Sequence, residues 1–125
     1  FRARLQEQAE GVWRQADVDE LHGRTMGIIG YGEIGRACAE RARPFGMRII
    51  GVRRRPELSQ ADPLLDGCLG LDGLEHLLRE SDYVVLATPS TTSTAGMIGA
   101  ARIACMKPNA VLINVGRGTV IDENA

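Results

Sequence analysis

The hydrophobic pattern of the chain switches repeatedly between strand and helix periods. Thr25-Met26-Gly27-Ile28-Ile29 is a short, nearly continuous apolar run, as a strand covered on both faces requires. After Gly30-Tyr31-Gly32-Glu33-Ile34-Gly35, the positions Ile34, Ala37, Cys38, Ala42 and Phe45 fall on one helical face. This predicts a buried helical stripe, stopped by Pro44 and Gly46. Met47-Arg48-Ile49-Ile50-Gly51-Val52 returns to strand character, and a polar stretch without clear pattern follows as far as Gly67. A very short strand is expected at Cys68-Leu69. Leu74, Leu77 and Leu78 give a short helix its buried side, with Asp72 and Glu75 in the spacing of a capping box. Residues 83–88 read as a fully buried strand ended by Pro89, and 110–115 as another. Between them lie the hydroxyl-rich loop Ser90-Thr91-Thr92-Ser93-Thr94 and a modest helix over 100–106, stopped at Pro108. Residues 122–125 resemble an N-cap and a first helical turn. At the other end, Leu5, Ala9, Val12 and Trp13 predict an amphipathic helix over 1–13 that needs a surface to pack on. The polar connector after it places a domain boundary near Gly23.

Strands alternating with helices make this a doubly wound parallel α/β sheet, with expected strand order 3-2-1-4-5 and further strands absent. Ligands of such sheets bind beyond the carboxyl ends of the strands, and Gly30, Arg53, Thr88 and Arg117 all fall there. With 15 glycines in 125 residues, the GxGxxG spacing alone is weak. Its position between a strand and a helix makes it a dinucleotide-binding turn. Gly30 turns the chain, Gly32 admits a pyrophosphate and Gly35 lets helix pack on strand. The helix then aims its first amides and the positive end of its dipole at the phosphates.

Composition narrows this little further. A 44% hydrophobic chain of net charge −1 has the makings of an ordinary globular core and no bulk attraction for nucleic acid. No apolar run approaches a membrane span, and no signal peptide is visible, so a cytoplasmic protein is expected. Cys38, Cys68 and Cys105 are widely spaced and read as reduced thiols. His22 and His76 lack metal-ligand spacing, and no metal site is expected.

The glycine turn, Phe45-Gly46-Met47-Arg48, Leu77-Leu78-Arg79-Glu80-Ser81-Asp82, Met106-Lys107-Pro108 and Asn114-Val115-Gly116-Arg117-Gly118-Thr119-Val120-Ile121-Asp122 together resemble the D-isomer-specific 2-hydroxyacid dehydrogenases. The resemblance implies a Rossmann-type cofactor domain over 23–125, truncated at its C-terminal end. It implies that 1–22 is a crossing helix and hinge from a missing substrate domain. The family's catalytic arginine maps onto Arg117, which would bind the substrate carboxylate and polarise its carbonyl; the alternative is a loop arginine in a surface ion pair. The family's acid/base His and Glu lie beyond Ala125, so this chain alone is expected to bind cofactor and not to turn over a 2-hydroxy or 2-keto acid. A homodimer is also implied. A non-enzymatic, dinucleotide-sensing corepressor of the same fold is the alternative function.

Where NAD-preferring members carry an acid at the second strand's end, this chain has Arg53, followed by Arg54 and Arg55. Losing the carboxylate removes repulsion against a 2′-phosphate and the guanidinium groups add attraction, so NADP is expected over NAD. Alternatively one arginine stacks on adenine and NAD remains usable. By the same resemblance Glu33 and Ile34 present amides to the pyrophosphate, and Thr88 and Pro89 border the adenosine. Thr94 would bond a phosphate oxygen, and Val115 and Gly116 would approach the nicotinamide. The hydroxyl loop is equally well explained as local turn chemistry.

Overall fold

The computed structural model describes residues 2–15 and 19–125; Phe1 and the 16–18 part of the connector lie outside them. Five strands, β1 (Thr25–Ile29), β2 (Arg48–Val52), β3 (Gly67–Leu69), β4 (Tyr83–Leu86) and β5 (Val111–Asn114), form one sheet. Their order is β3-β2-β1-β4-β5, and all four pairings are parallel, as the alternation of periods predicts. Between the strands run α2 (Glu33–Ala42), α3 (Leu74–Glu80) and α4 (Ala100–Ile103), and α1 (Arg2–Ala9) precedes them.

Each central strand divides its apolar residues between the two faces, because successive side chains point opposite ways. Ile28, Ile49 and Val85 join Tyr31, Ala39, Ala42 and Met47 in the core on the α2 side. Ile29, Ile50 and Val84 join Leu74, Leu77 and Leu78 on the α3 side. Most of these side chains are fully buried. At roughly 1.5–3 kcal/mol for each large aliphatic, they supply the main favourable term for the fold.

The pattern misplaces several details. Of the residues expected on the buried face of the second helix, Ala42 is buried, but Ile34 and Phe45 are each 58% exposed, and Gly35 and Ala39 share that face with Ala42 instead. The reason is close approach. A Cβ on Gly35 would lie 2.8 Å from the Gly30 carbonyl oxygen and 2.9 Å from Ile28 Cγ2, so the face nearest the sheet admits only small residues. The capping box at Asp72 and Glu75 does not form: a 3-10 turn over Leu71–Gly73 precedes α3, whose N-cap is Gly73 with no side-chain cap. The helix expected over 100–106 is regular only through Ile103. The last strand, expected to be buried, is the sheet's edge, with Val111 45% and Ile113 38% exposed. α1 ends at Ala9 and buries none of its residues, and Trp13 is 96% exposed. Among the described residues, no helix is long and apolar enough to cross a membrane.

Candidate cofactor site

Beyond the carboxyl ends of β1, β2 and β4 lies a cavity of about 560 Å³. Its wall includes Gly30, Tyr31 and Gly32 from the glycine turn, Arg53, Arg54 and Arg55 after β2, and Thr88, Pro89, Thr91, Ser93 and Thr94 after β4. Leu71 and Met97 add apolar surface. Three separate stretches of sequence therefore converge because parallel strands end on the same side.

The turn is pinned to the neighbouring strand. Gly30 and Tyr31 both donate backbone N–H bonds to the Val52 carbonyl, at 2.9 and 3.2 Å. Gly30 has φ +90°, and a Cβ there would meet Thr88 Cγ2 at 2.7 Å and the Ala87 carbonyl at 2.9 Å, so only glycine fits. Over Gly32 the space is open: nothing lies within 4 Å of where its Cβ would stand. Glu33 and Ile34, exposed beside it, form the first turn of α2, whose leading amides have no carbonyl to pair with inside the helix. An open glycine beneath a helix N-terminus is a cradle for an anion.

Two of the three arginines are already oriented. Arg53 Nη1 donates to Ser59 Oγ at 2.5 Å, with Ser59 buried, and Arg54 Nη2 donates to Ser93 Oγ at 2.8 Å. The second bond joins the arginine loop to the hydroxyl loop on the facing wall. No acid follows β2 directly, so the charge presented there is positive.

Thr94 lines the cavity, yet its hydroxyl serves the loop. It donates to the Pro89 carbonyl at 2.7 Å and accepts from the Thr91 N–H at 2.8 Å, which spends the proton that a phosphate oxygen would need. Thr88 forms the wall between two segments. Its methyl faces Gly30, and its carbonyl oxygen would be 2.7 Å from a Cβ on Gly116. Thr88 Oγ1 is buried and without a hydrogen-bond partner among the described residues.

Val115, Gly116 and Arg117 do not line this cavity; they flank it across Thr88. Val115 N–H donates to the Leu86 carbonyl at 3.0 Å, tying the end of β5 to that of β4. Asn114 clasps the turn that follows, its Oδ1 accepting from the Gly116 N–H and its Nδ2 donating to the Arg117 carbonyl, each at 2.9 Å. The Arg117 guanidinium is exposed, and its one hydrogen bond among the described residues is to the Gly116 carbonyl, at 3.3 Å. Among the described residues, no carboxylate pairs with it as a surface ion pair would.

A model of the D-isomer-specific 2-hydroxyacid dehydrogenase NAD-binding domain matches residues 1–125, the whole chain. The chain belongs to that family. Among similar proteins, a glyoxylate reductase of Thermococcus kodakarensis is 46% identical over 110 residues, covering 85% of this chain and 31% of the relative. Two solved structures superpose closely. A D-isomer-specific 2-hydroxyacid dehydrogenase from Xanthobacter autotrophicus Py2, in complex with NADPH and MES, gives a TM-score of 0.83 at 31% identity, covering 98% of this chain and 49% of that one. A D-lactate dehydrogenase from Aquifex aeolicus, complexed with NAD and lactic acid, gives 0.81 at 32% identity over 97% of this chain and 36% of that one. The chain spans about a third of the length of the glyoxylate reductase it matches. Its 125 residues thus correspond to the NAD-binding domain of that family.

Sequence reasoning missed Ser59 and Ser93 as partners of the arginines, and Asp62 as a partner of Tyr31 and Arg36. Ser59 and Asp62 sit in the stretch without periodicity, where loop residues carry no pattern to read. Ser93 was visible only as one hydroxyl among several.

Proposed function

We propose that this domain serves an NADPH-preferring reductase of small 2-keto acids, of the glyoxylate or hydroxypyruvate type. The observation that carries the cofactor preference is the pair of guanidinium groups fixed at the end of β2, with no carboxylate among the cavity-lining residues. A 2′-phosphate there would meet two pre-oriented donors, each worth about 1.5–3 kcal/mol as a charge-assisted bond. The residues fit a dinucleotide: open space over Gly32, the N-terminus of α2, and a partly apolar slot beside Leu71 and Met97.

When bound, the nicotinamide supplies or accepts the hydride. Glu33 and Ile34 would hold the pyrophosphate through backbone amides, and Thr88 and Pro89 would bound the adenosine side. Gly116, lacking a side chain beside Thr88, and Val115 would leave room for the nicotinamide end. Arg117 would bind the substrate carboxylate through its fork of donors and draw electron density from the carbonyl. The proton for the new hydroxyl would come from a histidine oriented by a carboxylate. A cytoplasmic homodimer fits this reading. The sensor alternative is disfavoured by the enzyme names of the relatives.

Titration with NADPH and NADH tests the preference. NADPH should bind more tightly by about tenfold or more, and Arg53→Asp should reverse the order. Tighter NADH binding by the unmodified protein would overturn it.

A further inference from the structure

The loop from Arg53 to Asp66 holds all three cavity arginines yet contains no strand and only a 3-10 turn over Pro56–Leu58. A segment of this kind places a guanidinium reproducibly only if something fixes it. One anchor is Asp66 at its far end, which accepts the Ile49 N–H at 2.7 Å and Arg43 Nη1 at 2.6 Å. The other lies midway and reaches the cofactor turn itself. Asp62 Oδ2 accepts the Tyr31 hydroxyl at 3.1 Å and Arg36 Nε at 2.9 Å, while Asp62 Oδ1 accepts the Leu64 N–H at 3.1 Å.

Tyr31 spans this distance. Its backbone is part of the glycine turn and lines the cavity, and its ring is buried against Gly51, where a Cβ would stand 3.4 Å from the ring. Leu64 and Leu65 of the loop pack on the same cluster. A phenyl ring would fill that space equally well, so the phenolic hydroxyl serves only the bond to Asp62. Three residues before Asp62, Ser59 holds Arg53.

We infer that Tyr31, Asp62 and Arg36 form a clasp that positions the Ser59–Arg53 pair, and that this clasp sets the discrimination between cofactors with and without a 2′-phosphate. Tyr31 and Asp62 are positioning residues, acting through Arg53. The inference rests on the NADPH preference proposed above and names residues of the specificity machinery outside the cavity's charged wall. Burial, reinforced by the neighbouring Asp62 carboxylate, pushes the Tyr31 phenol up to about 12, so it remains a donor throughout the physiological range.

The test compares Tyr31→Phe, Asp62→Asn and Arg53→Ala in the full-length protein, measuring dissociation constants for NADPH and NADH and the melting temperature. Loss of the clasp should weaken NADPH about three- to tenfold while NADH changes less than about twofold. In the Arg53→Ala background, Tyr31→Phe should have little further effect on NADPH, because the clasp acts through that arginine. Equal weakening of both cofactors, or an undiminished effect in the Arg53→Ala background, would reduce Tyr31 and Asp62 to general stabilisers and overturn the inference. An unmodified protein that favours NADH rejects the NADPH reading, and the clasp's role with it. One that favours NADPH, with a preference that survives Tyr31→Phe and Asp62→Asn, rejects the clasp alone.

Discussion

Arg117 owes its placement to bonds that its own side chain does not make. Asn114 holds both Gly116 and the Arg117 carbonyl, and the guanidinium lies exposed on the flank of the cavity, bonded only to the Gly116 carbonyl among the described residues. A planar fork is what a carboxylate substrate requires, and a lysine cannot reproduce it. On the role proposed above, Arg117→Lys in the full-length protein is expected to lower kcat/KM for a 2-keto acid by about 10² or more, since a donor to developing charge is worth that much. Binding of NADPH, measured by fluorescence titration, should stay within about twofold. A variant that loses cofactor affinity instead would assign Arg117 to the cofactor. At the same scale, Thr94 shows how a residue can line a cavity and still be spent on its own loop, with its hydroxyl proton given to Pro89.

Among the elements, α2 depends on how closely it can approach β1. Gly35→Ala would place a methyl 2.8 Å from the Gly30 carbonyl oxygen, which is backbone and cannot swing aside. The substitution should destabilise the protein by about 1–3 kcal/mol, read from chemical denaturation, and should weaken both cofactors together as the helix N-terminus shifts. An unchanged midpoint would show that the helix can move without cost. The same close packing explains where the sequence was legible. Strand identity and order were readable because β1, β2 and β4 are apolar on both faces and parallel strands demand crossovers. The buried face of α2 was not, because periodicity weights large residues such as Ile34 and Phe45, whereas the helix meets the sheet through Gly35, Ala39 and Ala42. That the glycine turn, Arg53, Arg54 and Thr88 line one cavity was readable because strand ends gather on one side of the sheet. The partners of the arginines were hidden in a segment whose conformation is fixed by tertiary bonds to Tyr31, Arg36, Arg43 and Ile49.

At the scale of the whole molecule, the amino ends of β1, β4 and β5, opposite the cavity, are joined by Asp82. Its Oδ2 accepts the Thr25 N–H at 2.8 Å, its Oδ1 accepts Lys107 Nζ at 2.9 Å, and its backbone bonds to Thr25 and Val111. Burial opposes its charge, but the Thr25 N–H and Lys107 outweigh that and hold its carboxyl below the usual range. Asp66, held chiefly by Arg43, is lowered too, as is Asp62, where the Leu64, Tyr31 and Arg36 bonds overcome burial. A carboxylate lowered in the folded state stabilises it above its unfolded value, and that stabilisation is lost as pH falls through the folded value. The melting temperature should thus hold from neutral pH down to about 5 and decline below about 4. Asp82→Asn should lower it at neutral pH and flatten the decline. A variant with the parent's acid profile would exclude Asp82 as a source.

The bond between Thr25 and Asp82 also joins residues 57 positions apart. With every strand pairing parallel, no hairpin can form first and guide the others; β1 must wait for partners on both sides to arrive over long loops. Refolding from denaturant should therefore be slow for a chain of this size, with β1, which accepts β2 on one side and β4 on the other, joining the two halves of the sheet.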